Sequence, residues 1–362
     1  MNVLLISGIY PPDIGGPATN IPIFAEHLIS KNHSVSVITL KKSDAEPQIG
    51  KWPIFYVNRD SLLILRFLKT LISILRKSLS SDAIFANGLI QETGIVLALR
   101  PKKSVAKVVS DPVWERATNR KETKLGVEDF NNSELRLKHK LQRQLLTWSL
   151  NKFDAIICPS LQIKLIIQSW GVKKKVILIP NGVSEKVIDN KKITYDLVTV
   201  SRLINLKNID KMIIACKETS TSLVIVGSGP DEIYLKKLAK SINANVTFLG
   251  DISHNEIPKI LASSKIYLNL STHEGLSYAL LEAMACGLPS IVSNIPGNTQ
   301  IISHKENGII VSLDKADELN KAIKKLSSSN ELCLAYGKSA QLIIRSQYVQ
   351  SVQLDKIIEL LK

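Results

Sequence analysis

Short uninterrupted apolar runs alternate with longer segments of helical period along nearly the whole chain. Residues 3–7, 34–40, 54–58, 83–87, 105–110, 155–159 and 176–180 are runs of the first kind, and 197–201, 222–226, 246–250, 266–270, 290–293 and 308–311 repeat them in the second half. Their length and two-sided apolar character predict buried parallel strands rather than half-exposed antiparallel ones. Residues 17–30, 62–78, 134–151, 162–170 and 277–286 predict helices between them, and 345–361 a last helix. Such alternation predicts an α/β fold whose parallel sheets are covered on both faces and bind ligands at the carboxyl ends of their strands. Pro180-Asn181-Gly182-Val183 and the polar stretch 184–194 punctuate the pattern and divide the chain into 1–180 and 181–344.

Composition sharpens this picture at three points. A chain of 362 residues with 45% hydrophobic content has room for two packed cores. The opening residues 1–7 lack a basic leader and read as a first strand, not a signal sequence. No apolar run reaches the roughly 18 residues needed to cross a bilayer. Cys158, Cys216, Cys286 and Cys333 are scattered without a CxxC pair, so they read as reduced thiols of a cytoplasmic protein.

Charge separates the two halves. Residues 1–180 hold 26 Lys and Arg against 14 Asp and Glu, while residues 181–362 hold 21 against 18. The first half should therefore favour an anionic partner: a membrane surface, a phosphorylated lipid or nucleic acid. Nucleic acid is the weakest of these, because no basic-aromatic motif appears and aromatic residues make up only 5%. Residues 62–79 form a helical wheel with Arg66, Lys69, Ser73, Arg76 and Lys77 on one arc near Thr70 and no acidic residue. Two readings stand: a helix packed on the sheet with a solvated basic edge, or a basic amphipathic helix that places the protein peripherally on a membrane.

The sharpest chemistry lies between the strand at 266–270 and the helix at 277–286. Glu274 sits on the connecting loop and Glu282 on the helix, within Glu274-Gly275-Leu276-Ser277 and Glu282-Ala283-Met284-Ala285-Cys286-Gly287-Leu288-Pro289. Gly275 permits close approach of a ligand to the backbone. The unpaired N–H groups of the helix start favour a phosphate. One carboxylate can hold sugar hydroxyls and the other ribose hydroxyls.

This string resembles the donor-site signature of retaining glycosyltransferases of the GT-B fold, family 4, the group 1 glycosyltransferases. The resemblance is strong over about residues 196–310 and weaker before them. It implies GT-B architecture: two Rossmann-like, doubly wound parallel-sheet domains facing a cleft, with the terminal helix at 345–362 returning to the first. It further implies that Arg202 and Lys207, in Ser201-Arg202-Leu203-Ile204-Asn205-Leu206-Lys207, hold the donor diphosphate. Gly227 and Gly229 of Val226-Gly227-Ser228-Gly229-Pro230, and Gly275, Leu276 and Ser277, would lie beside the nucleotide. With no DxD motif, these cations would stand in for a metal, so neither metal nor cofactor is expected.

On the acceptor side, Gly15 and Gly16 of Pro11-Pro12-Asp13-Ile14-Gly15-Gly16-Pro17 resemble the family's loop that reaches toward the donor. Asp111, with Glu115 second to it, is the candidate that takes up the acceptor hydroxyl proton or steadies positive charge on the sugar. Asp111 precedes Pro112, so plain turn chemistry is the competing reading. The expected activity is metal-independent transfer of a hexose-type sugar from a nucleotide-diphosphate-sugar to a lipid-linked or otherwise anionic glycan. A soluble acceptor such as a sugar phosphate is the nearest alternative, and a binding protein without catalysis a more distant one. Donor sugar, base, linkage and oligomeric state are not legible.

Overall fold

The computed structural model describes residues 1–13, 15–42, 51–184 and 193–362. Residues 185–192 of the polar stretch read as a boundary, and Ile14 of the Gly15-Gly16 loop, lie outside them. The chain forms two compact units, Met1–Pro180 with Ser351–Lys362, and Asn181–Gln350.

The first unit contains strands β1 (Asn2–Ser7), β2 (Ser34–Lys41), β3 (Ile54–Asn58), β4 (Ala83–Asn87), β5 (Lys103–Lys107), β6 (Ala155–Cys158) and β7 (Lys175–Leu178). They pair in parallel in the order β3-β2-β1-β4-β5-β6-β7. Helices α1 (Gly16–Ser30), α2 (Leu63–Ser78), α3 (Ile90–Leu99), α4 (Pro112–Asn119), α5 (Val127–Asn132), α6 (Leu137–Leu150) and α7 (Leu161–Ser169) connect them.

The second unit contains β8 (Tyr195–Val200), β9 (Leu223–Val226), β10 (Val246–Gly250), β11 (Ser264–Asn269), β12 (Ser290–Ser293) and β13 (Gly308–Val311). Its parallel order is β10-β9-β8-β11-β12-β13. Its helices are α8 (Ile209–Glu218), α9 (Glu232–Ser241), α10 (Ile257–Ala262), α11 (Tyr278–Ala285), α12 (Pro296–Thr299), α13 (Ala316–Ser327) and α14 (Asn330–Gln347). Both sheets are thus Rossmann-like, as the alternating pattern predicts.

The last helix, α15 (Gln350–Leu361), belongs to the first unit. The sequence placed its start near residue 345, but Arg345 is in the last turn of α14. The break falls at Tyr348, whose φ of −124° and ψ of 25° leave helical geometry. Ile357, Ile358 and Leu361 of α15 join Ile21, Phe24 and Leu28 of α1 on the sheet face formed by Leu5, Val37, Phe85 and Val105. His27 Nε2 of α1 lies 2.7 Å from Asp355 Oδ1 of α15. That hydrogen bond, then the Lys31 ammonium, holds the Asp355 carboxyl below the usual carboxylate range.

Alternate strand residues Leu4, Ile6, Ile38, Ile84 and Ile156 point to the opposite face and are fully buried. There α3 packs between α2 and α6. The orientation of α2 corrects the wheel reading. Thr70, the centre of the basic arc, is buried together with Ile74 and Ser78. Lys77 folds over the Phe55 ring at 3.6 Å, and Arg66 donates to the Arg59 carbonyl at 2.9 Å. Leu63, Ile64, Leu68 and Ile72 point outward. The two buried hydroxyls bond the helix's own backbone: Thr70 Oγ1 to Arg66 O at 2.8 Å and Ser78 Oγ to Leu75 O at 2.7 Å.

Among the described residues no helix is long and apolar enough to cross a membrane. Cys158, Cys216 and Cys286 are buried and Cys333 is half-buried, and none of the four is in a disulfide.

Candidate functional site

In the second unit the strand order reverses between β8 and β11, the place where a doubly wound sheet opens a crevice beyond its carboxyl ends. The β8 strand leads into the loop that carries Arg202 and into a 3₁₀ turn, Asn205–Lys207. The β11 strand leads into the loop that carries Glu274. These two loops are sewn together. Thr272 N donates to Leu206 O at 2.9 Å, and Asn208 Nδ2 donates to Leu270 O at 2.7 Å. Lys207 Nζ makes a close ion pair with Glu274 Oε1, both side chains being mostly buried. The Ser271 hydroxyl lies 3.0 Å from the same oxygen. Arg202, by contrast, is exposed at the rim.

A buried polar frame holds the Glu274 loop. Ser271 Oγ donates to Asn269 Oδ1 at 2.7 Å, and Ser293 Oγ donates to the Ser271 carbonyl. Asn298 Nδ2 donates to Ser293 O at 3.1 Å. Gly297 lets the β12–α12 corner press against this loop: a Cβ there would lie 2.1 Å from the Glu274 carbonyl oxygen. The carboxylate is therefore positioned by a satisfied network, since buried polar groups left unpaired would be costly.

Gly227 and Gly229 serve the same end. Gly227 has φ of +123°, and a Cβ would fall 2.0 Å from Ser201 O; at Gly229 it would fall 2.3 Å from Leu203 O. Leu203 N donates to Ser228 O at 2.8 Å across this contact. The β9–α9 turn thus braces the Arg202 loop from behind. Both glycines thereby lie directly against the loop that carries Arg202.

The α11 helix begins at the Ser277 cap, whose Oγ accepts from Leu280 N at 3.3 Å. The Leu276 side chain is buried and its carbonyl accepts from Asn181 Nδ2 at 2.9 Å. So Gly275, Leu276 and Ser277 can offer a ligand their N–H groups, as a helix start does. Glu282, on the same helix, is half-buried and its Oε1 lies 2.8 Å from His254 Nε2.

Three participants escaped sequence reasoning. His254 follows β10 and meets Glu282 only through the fold. Ser271 supports Glu274. Tyr267 of β11 is fully buried beneath the site. Burial first, then the Glu274 and Glu282 carboxylates, push its ionisation upward, so it stays a neutral phenol. An apolar strand residue gives no sequence signal of this kind. Among the described residues no group of three or more His, Cys, Asp or Glu is arranged to hold a metal ion.

The remaining predicted site residues belong to the first unit, at the carboxyl ends of its strands. Gly15, with φ of +151°, caps α1, and Gly16 begins it. A Cβ on Gly15 would lie 2.8 Å from Ile9 Cδ1. Asp111 is corrected by its surroundings. It is fully buried and caps α4, Oδ1 accepting from Val113 N at 2.9 Å and Trp114 N at 3.2 Å. Its Oδ2 accepts from Asn131 Nδ2 at 2.9 Å and pairs with the Arg143 guanidinium. Arg143 in turn stacks on Trp170, 4.4 Å from the ring centroid, and donates to Asn131 Oδ1 at 2.6 Å. Both oxygens are committed, so Asp111 is a structural cap and counter-ion. Glu115 lies in the first turn of the same helix, with its side chain at the surface.

Residues 162–342 match the family described as glycosyl transferases group 1, and residues 14–187 match glycosyltransferase family 4. An uncharacterised glycosyltransferase of Methanocaldococcus jannaschii is 24% identical over 390 residues, covering 96% of this chain and 95% of that protein. The UDP-Gal:alpha-D-GlcNAc-diphosphoundecaprenol alpha-1,3-galactosyltransferase of Escherichia coli is 30% identical over 182 residues, 44% of this chain and 46% of that one. The structure of sucrose-phosphate synthase from Thermosynechococcus elongatus superposes with a TM-score of 0.80 at 18% identity, over 99% of this chain and 98% of that one.

Proposed function

Because the chain belongs to the group 1 glycosyltransferases, enzymes of the GT-B fold that use a nucleotide-sugar donor, we propose that it is a retaining, metal-independent hexosyltransferase acting on a lipid-linked glycan. The observation that carries this reading is the Lys207–Glu274 pair at the strand-order reversal of the second unit. It sets a cation and a carboxylate side by side, between the exposed Arg202 and the start of α11.

In this reading the donor diphosphate lies against Arg202, Lys207 and the N–H groups that precede α11. Its sugar hydroxyls bond Glu274, and its ribose hydroxyls bond Glu282. As the anomeric carbon–oxygen bond breaks, negative charge grows on the diphosphate. Fixed cations there stabilise that charge where it develops, which is the effect that lowers the barrier. The acceptor oxygen bonds to the anomeric carbon on the face the diphosphate leaves. Asp111 is committed to Arg143, so the leaving diphosphate is the group assigned to receive the acceptor proton. The lipid-linked acceptor is supported by the Escherichia coli relative, whose name places its acceptor sugar on diphosphoundecaprenol.

Transfer measured in excess chelator tests the role of the cations. Activity should persist. Activity that vanishes with chelator and returns with magnesium or manganese would refute the metal-independent reading.

A further inference from the structure

Two helices of the first unit bury polar side chains while turning part of their apolar surface outward. On α2 the buried positions are Thr70, Ile74 and Ser78, and the outward ones include Leu63 at 70% exposure and Ile64 at 77%, with Leu68 and Ile72 also exposed. On α6 the buried positions include His139, which lies 3.0 Å from Glu122 Oε2, and Arg143, which pairs with Asp111. Its outward stripe is Leu137, Leu141, Leu145 and Trp148, at the spacing of one helix face, and Leu137 is 73% exposed. Both helices pack on α3, so both stripes belong to one layer of the unit.

This arrangement leaves apolar surface in water that the same helices could have buried by a different rotation. Two exposed apolar stripes flanking one helix point to an interaction site. The charges around it indicate the partner. Neither α2 nor α6 contains an acidic residue. Lys69 and Arg76 are exposed on α2, and Lys152 Nζ lies 4.9 Å from the Trp148 ring centroid. Lys138 and Lys140 of α6 are exposed too, each beside a carboxylate, Glu122 at 2.6 Å and Glu134 at 3.6 Å.

We propose that the outward faces of α2 and α6 together dock the protein on an anionic lipid bilayer. Leucines enter the acyl boundary, Trp148 sits at the headgroup level, and the lysines reach the phosphates on their long stems. A second copy of this chain fits less well, because two identical basic faces repel. The α2 helix, about 24 Å long, lies along the surface and does not cross it. The inference goes beyond the acceptor assignment and stands apart from it: the docking face is in the first unit and the donor residues are in the second.

Co-sedimentation of the full chain with vesicles tests it. One set is pure phosphatidylcholine, and the other contains roughly one-third phosphatidylglycerol. Wild-type protein should partition onto the anionic vesicles and be released by salt. The pair Lys69→Gln and Arg76→Gln should lower the partition about thirtyfold, since each cation contributes about a factor of five near the surface. The pair Leu68→Ser and Leu141→Ser should lower it about tenfold or more. Nucleoside diphosphate binding, read by calorimetry on the same samples, should be unchanged in both variants, which shows that they are folded. Wild-type protein that stays in solution with anionic vesicles at low salt would overturn the proposal. So would variants that bind vesicles like wild type, or a dimer that Leu141→Ser dissociates, because that dimer would make the face a contact between copies.

Discussion

His254 Nε2 lies 2.8 Å from Oε1 of Glu282, so the carboxylate assigned to the ribose already has a partner before a nucleotide arrives. The imidazole is 44% exposed and the carboxylate 16%. A ribose hydroxyl must share or displace this contact.

A side-chain contact whose imidazole is this open to water is worth about 0.2–1 kcal/mol. Releasing Glu282 by His254→Ala should therefore tighten nucleoside diphosphate binding, by a factor below about five. Calorimetry reads this directly. Weaker binding in the variant would instead make the imidazole itself a nucleotide contact.

Asp111→Ala should damage the fold rather than the chemistry. The change strips a buried counter-ion from Arg143, and orphaning a buried charge costs about 3–5 kcal/mol. It also removes the α4 cap, worth about 1 kcal/mol. The melting temperature should fall sharply, with turnover following the folded fraction. An unaltered melting temperature with abolished turnover would restore Asp111 as a proton acceptor.

Gly227→Ala should act in the other unit by pushing the Arg202 loop away. The added Cβ would meet Ser201 O at 2.0 Å, from a backbone φ of +123° that side chains avoid. Overpacking of this kind costs about 1–3 kcal/mol. Thermal unfolding should show the loss, and nucleotide affinity should fall with it because Arg202 moves. Retained stability with lost affinity would mean that Gly227 touches the nucleotide.

The strands were legible because parallel strands covered on both faces are written as unbroken apolar runs. The Glu274 loop was legible because Gly275, the Ser277 cap and the Gly287-Pro289 stop punctuate it. The inward turn of Thr70 was not, because a wheel shows which residues share a face and assumes the apolar face goes in. Here the buried positions are Thr70, Ile74 and Ser78, and the two hydroxyls are satisfied by the helix's own backbone. His254 was invisible for another reason: it meets Glu282 across 28 positions of sequence, through two strand ends. Asp111 was ambiguous in sequence because an Asp before Pro serves equally as cap and as acid. Only Arg143 and Asn131, brought in by α6 and α5, decide between them.

The division of labour between Glu274 and Glu282 is the centre of the account, and calorimetric titration with UDP and a UDP-sugar reads it most directly. Glu282→Ala should weaken binding of both ligands, by about 1.5–3 kcal/mol for a lost charge-assisted bond. Glu274→Ala should leave UDP affinity near wild type while lowering affinity for the UDP-sugar and turnover. Equal loss of UDP affinity in the two variants would contradict the assignment, and no loss in either would remove the donor from this site.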